Sequence, residues 1–297
     1  MTDGGWQATM DCLKLKSRAA LAKLPLCLFI GFSALFGFFL ADPTGYLSAF
    51  LTGAGIFFLA AGAATLNSIQ EHHIDAHFER TRNRPLPRGT VSRLSAGIQT
   101  VLLFGVGWIV LYTVVKNGFP LGVAMFAVVL YNGIYTPLKT KTVLAIVPGA
   151  LCGALVPYIG WLIGGGEKTA FEPFLLICLM VLWQIPHFWL IILHYRDDYQ
   201  KGVIPSLFSY FKETSIRRLF ITWIGALVFV MALFSILPSV NDITVRILII
   251  MNSFALLIWF LLSFGMVRTV NYKLLFSVLN GSLFLHMTII TVGNIRL

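Results

Sequence analysis

Charged residues are scarce in this chain. Asp and Glu together number 12 in 297 residues, and charged residues of both signs make up 11%, against 58% hydrophobic residues and a mean hydropathy of +0.84. That balance excludes an ordinary soluble globular domain and reads as a polytopic membrane protein. Cysteine is also sparse. Cys12, Cys27, Cys152 and Cys178 form no C-x-x-C pair, which argues against a disulfide framework, and three of them fall in apolar runs where free buried thiols are expected. No A-x-A-like cleavage site follows the first apolar run, so that run is expected to be retained as a span.

What is present is a series of apolar segments about 20 residues long, the length that crosses a hydrocarbon core of about 30 Å. Nine are expected, at 24–42, 46–66, 94–115, 119–137, 143–163, 173–193, 217–238, 243–265 and 274–293. The predicted fold class is all-α: one bundle of nine transmembrane helices in a single domain over 1–297. Residues 1–23 form an N-terminal segment, and 67–93 and 194–216 are the two long polar loops.

The net charge of +10 could suggest a nucleic-acid partner, but its distribution argues for none. With nine spans, 18 of the 22 Lys and Arg residues fall on one side, leaving Lys116, Lys168, Arg246 and Arg296 on the other. By the positive-inside rule the N-terminus is cytoplasmic and the C-terminus outside. The basic excess is therefore mostly topology, aided by the anionic surface of the lipid bilayer and by an anionic substrate.

The few acids are placed unevenly. In NSIQEHHIDAHFERTRNRPLPRG, Asn67, Glu71 and Asp75 recur every four residues at the mouth of the second span. On a helix they share one face, stacked about 6 Å apart. Two carboxylates and an amide oxygen on one stripe form a hard-oxygen site of the kind Mg²⁺ takes when phosphates complete its shell. Arg80 and Arg84, just downstream, can grip such phosphates.

A second cluster, HYRDDYQKG, follows the sixth span on the same side and holds Arg196, Asp197, Asp198, Tyr199 and Lys201. A lone helix-end acid in a basic loop is ordinarily just solvated. Strict four-residue spacing with a matching second cluster points instead to one site built from two helix ends. A cation or proton pathway is the alternative, but it predicts acids at mid-span, and these sit at one end. His72, His73 and His77 fit an interfacial role. His187 lies inside the sixth span behind Pro186, where an imidazole needs a partner.

These pieces resemble the UbiA superfamily of intramembrane prenyltransferases. The pattern NxxxDxxxD followed by RTxxRPL is met by Asn67, Asp75, Arg80, Thr81, Arg84, Pro85 and Leu86, with Glu71 standing where the family has its first Asp. Three further segments resemble the protoheme IX farnesyltransferase branch. They are Tyr135-Thr136 with Leu138-Lys139, the W-Q-x-P-H-F run from Trp183 to Phe188, and the R-D-D-Y-x-K-G run from Arg196 to Gly202. His194 stands where other superfamily members have a further Asp.

The resemblance implies farnesyl diphosphate as donor, haem B as acceptor and Mg²⁺ as cofactor. It implies metal ligation by Asn67, Glu71, Asp75 and Asp198. Arg80, Arg84, Lys139 and Lys201 would meet the diphosphate, and His187, Tyr199 and Arg196 would contact haem or orient water. It further implies a bacterial inner membrane, with the active site cytoplasmic and a haem A synthase or terminal-oxidase assembly factor as partner. Two other readings stay open: a sister enzyme with an aromatic quinone precursor as acceptor, and a transporter.

Overall fold

The computed structural model describes residues 15–196, 213–265 and 270–296, and among these every regular element is helical. The membrane-length helices are α1 (Leu24–Ala41), α2 (Tyr46–Asp75), α3 (Arg93–Tyr112), α4 (Phe119–Leu138), α5 (Val143–Ile163), α6 (Phe171–His194), α7 (Glu213–Leu233), α8 (Ile243–Gly265) and α9 (Tyr272–Arg296). Hydropathy alone locates them, because a spanning segment must satisfy every backbone group internally and so forms a helix. Their ends carry local signals. Pro25 opens α1, Pro120 opens α4, and Ser92 caps α3 by accepting from Ser95 N at 3.2 Å. Between α1 and α2, Asp42 Oδ1 accepts from Thr44 N at 2.9 Å and Gly45 N at 3.1 Å, which closes a tight hairpin.

One expected boundary is corrected. The second helix does not stop near residue 66; it runs 30 residues to Asp75. Hydropathy falls after residue 66, but the helix continues because its polar side chains turn inward and are held there. The loop is then only 76–92, and it is folded back on the helix: Thr81 Oγ1 donates to the Asp75 carbonyl at 2.8 Å.

Two apolar clusters carry the bundle. One joins α1 to α2, α3, α4 and α5 through residues such as Phe38, Ile56, Leu111 and Ile159. The other centres on α6 to α9, with Phe220, Leu256, Phe260 and Leu279. The lipid-facing side of α3 shows Leu94, Ile98, Val101, Leu102 and Ile109 exposed, as a bilayer-embedded helix requires.

The crossing of α1 and α5 is close enough that small residues are obligatory. A β-carbon at Gly37 would meet the Pro157 carbonyl, and one at Gly160 would meet the Ala34 carbonyl. Backbone cannot yield as a side chain can. Gly160→Val is therefore expected to destabilise the bundle by about 3 kcal/mol, read as a lowered unfolding midpoint in detergent. An unchanged midpoint would contradict this crossing.

Candidate functional site

The inward turn of α2 places Asn67, Glu71 and Asp75 in one buried stripe, 1%, 5% and 6% exposed. Burying carboxylates is costly unless each is paired. Here each of the three residues has its own cation. Lys23 Nζ donates to Asn67 Oδ1 at 3.0 Å. Lys139 forms an ion pair with Glu71 Oε1. Arg84 Nη1 meets both oxygens of Asp75, at 2.9 and 2.8 Å. Asn67 is further fixed by its Nδ2, which donates to Thr136 Oγ1 at 3.1 Å.

Lys139 and Thr136 reach the stripe because α4 is not regular. Its residues Leu130–Tyr135 form a π-helical turn, a feature that often marks functional sites. Polar bonds pin this turn to α2. Asn132 Nδ2 donates to the Ala63 carbonyl at 3.0 Å and Gln70 Nε2 donates to the Asn132 carbonyl at 2.9 Å, while within α4 Thr136 Oγ1 donates to the Tyr131 carbonyl at 2.9 Å. Tyr131 and Tyr135 stack at 5.6 Å, and the Lys139 ammonium lies 5.6 Å from the Tyr135 ring centre.

These groups form the polar mouth of a cavity of about 770 Å³, within the ~300–1,000 Å³ of small-molecule sites. Below the mouth the wall is apolar, with Ile56, Leu59, Val128, Val156 and Ile159. A third part of the wall comes from one face of α6, namely Trp183, Gln184 and His187, joined by Phe276 of α9.

The sequence-predicted residues fare as follows. Asn67, Glu71, Asp75, Arg80, Arg84, Lys139 and His187 all line this cavity. Arg80 does so with its guanidinium 5.0 Å from the centre of the Tyr195 ring. Arg196 follows the end of α6 and is not among the described residues that line the cavity. Asp198, Tyr199 and Lys201 lie outside the described residues. Cys27, Cys152 and Cys178 are free thiols, as expected.

Sequence reasoning missed Lys23 as a site residue and counted it only toward topology. It is the one non-glycine residue with positive φ among those described, φ 51°, at the turn from the short helix 15–22 into α1. A lysine in the left-handed region is strained, and such strain tends to persist at functional sites. The turn carries the ammonium into the mouth. Burial, with the Arg84 charge assisting, pushes it down to about 8. Spacing along the chain offers no signal for that turn.

Among the described residues, no three His, Cys, Asp or Glu side chains come together as a ready metal cage. The two carboxylates and one amide nevertheless fit a hard divalent cation that shares its shell with phosphate. All three side chains line the cavity mouth, where their oxygens face the same space as Lys139 and Arg84.

Comparison with known proteins agrees with this architecture. Two solved structures share the fold. One is described as a digeranylgeranylglyceryl phosphate synthase (TM-score 0.75, 17% identity, 96% of this chain and 99% of that one). The other is a UbiA homologue from Archaeoglobus fulgidus bound to GPP and Mg²⁺ (TM-score 0.71, 17% identity, 95% and 100%). A protoheme IX farnesyltransferase of Nitratidesulfovibrio vulgaris strain DP4 is 32% identical over 240 residues, covering 80% of this chain and 83% of the relative. One of Geobacter sulfurreducens is 40% identical over 182 residues, covering 61% and 66%. Residues 30–288, which take in the buried stripe, Arg84, Lys139 and the α6 wall, match the UbiA prenyltransferase family, and the chain belongs to that family.

Proposed function

We propose that this chain transfers the farnesyl group of farnesyl diphosphate to the 2-vinyl carbon of haem B, with addition of water, giving haem O and diphosphate. The observation that carries the reading is the charge-paired mouth opening onto a long apolar cavity with His187 in its wall. The protoheme IX farnesyltransferase relatives support haem as the acceptor.

Asn67, Glu71 and Asp75 would hold Mg²⁺, which supplies charge neutralisation at the departing diphosphate. The chain's own residues do the rest. Lys23, Arg84 and Lys139, stationed at the mouth by the same three side chains, grip phosphate oxygens, with Arg80 beside them. Their charge counts most as the C–O bond breaks and negative charge collects on the leaving group. The apolar wall holds the prenyl chain and keeps stray water from the allylic cation. By the motif they share with the family, we assign Asp198 to the metal, Lys201 to the diphosphate, and Tyr199 and Arg196 to the haem. We read the mouth as cytoplasmic from the charge bias of the loops, in a bacterial inner membrane.

Mg²⁺-dependent diphosphate release stimulated by haem B tests this reading. Stimulation by an aromatic quinone precursor instead would move the chain to a sister activity, and no release with any acceptor would leave a transporter. Within the mouth, Lys23→Met is expected to raise KM for farnesyl diphosphate about tenfold or more, the loss of one charge-assisted hydrogen bond. An unchanged KM would remove Lys23 from the diphosphate site.

A further inference from the structure

His187 is held by a residue that does not itself line the cavity. Its Nδ1 lies 2.9 Å from Asn280 Oδ1 on α9. Which end of the Asn280 amide faces the ring is settled by its other contact. Asn280 Nδ2 lies 2.6 Å from the Phe276 carbonyl, and a backbone oxygen can only accept. The amide oxygen therefore faces His187, and it too can only accept. Nδ1 must carry the proton, and in a neutral imidazole the lone pair is then on Nε2. The rings of Trp183 and Phe276, 4.6 and 4.7 Å from the imidazole centre, hold it in this orientation. No described residue forms a hydrogen bond to Nε2.

A second observation concerns the same wall. Trp183 Nε1, a donor, and Gln184 Oε1, an acceptor, are buried with no hydrogen-bond partner among the described residues. The backbone opposite Gln184 is cut away for its amide, since a β-carbon at Gly153 would collide with Gln184 Nε2. Buried polar groups without protein partners are ordinarily met by an ordered water or by a ligand.

We infer that Asn280 is a positioning residue that keeps His187 in the Nδ1–H tautomer, so that Nε2 is the base for the water that captures the prenylated cation. The inference rests on the proposed haem farnesylation. In that reaction a C–C bond forms between the farnesyl carbon and the vinyl terminus, leaving a cation on the vinyl carbon next to the porphyrin ring. The water oxygen forms the new C–O bond. Its O–H electron pair stays on oxygen as the proton passes to Nε2, and the imidazolium, steadied by Asn280 Oδ1, returns that proton to solvent. One water is consumed, one proton is released, and no oxidant is needed. Without a base in place, the cation sheds a neighbouring proton and yields an alkene that lacks the added water.

The test uses the full chain with haem B, farnesyl diphosphate and Mg²⁺, and reads the prenylated haems by mass spectrometry. Asn280→Leu is expected to lower kcat about tenfold or more, leave KM for farnesyl diphosphate unchanged, and shift product toward the form lacking water. Asn280→Asp, which keeps an acceptor, is expected to retain the hydroxylated product. A wild-type product ratio and kcat in Asn280→Leu would overturn the inference.

If Asn280→Leu does not fold, ¹⁵N NMR of histidine in the wild-type protein decides. The His187 signals, identified by their loss in His187→Gln, must show a protonated Nδ1, and a protonated Nε2 overturns the inference. Failure of the proposed function is distinct from both, since the wild-type protein would then make no prenylated haem at all.

Discussion

Asp75→Ala is expected to lower kcat by about 10³-fold or more while the bundle stays folded. The residue is 6% exposed and accepts both of its contacts from Arg84. Its loss removes a metal-binding carboxylate and frees the cation that it stations at the mouth, so two sources of charge stabilisation fail together. Folding should survive, because the Arg84 side chain is 31% exposed and can turn to water once unpaired. Steady-state diphosphate release gives the first number, and the unfolding midpoint in detergent controls for the second. Substantial turnover in Asp75→Ala would sink the reading of the α2 stripe as the metal site. Asp75→Asn, which keeps the shape and loses the charge, should be nearly as inactive.

Removing divalent metal should have an effect of similar size. With a chelator present, diphosphate release should fall to background, and Mg²⁺ in excess should restore it. The stripe offers only two carboxylates and one amide among the described residues, a set too sparse to retain a cation tightly without phosphate. Metal and diphosphate should therefore bind together, each raising the affinity for the other. Turnover that survives chelation would mean that Lys23, Arg84 and Lys139 suffice alone.

The membrane class, the helix count and the α2 stripe were legible from the chain because each rests on periodicity or hydropathy. Nine apolar runs of spanning length became nine membrane-length helices among the described residues, and residues 67, 71 and 75 share a face because a helix repeats every 3.6 residues. The burial of that stripe was not legible. Hydropathy reports the preference of an isolated side chain, and Asn67, Glu71 and Asp75 are buried only because Lys23, Lys139 and Arg84 arrive from elsewhere.

The same holds for the π-helical turn of α4, which depends on Asn132 and Gln70 meeting across 62 residues. Lys23 was hidden by its strained turn. Asn280 was hidden by the 93 residues that separate it from His187, although a polar amide inside an apolar span is itself a reason to look for a partner.

The most direct test of the account is the mass of the haem recovered after purified protein is incubated with haem B, farnesyl diphosphate and Mg²⁺. The account predicts a product heavier than haem B by a farnesyl group and one water, with one diphosphate released for each. Unchanged haem, with diphosphate released only when an aromatic quinone precursor is supplied, would contradict it and leave the fold and the charged mouth serving another acceptor.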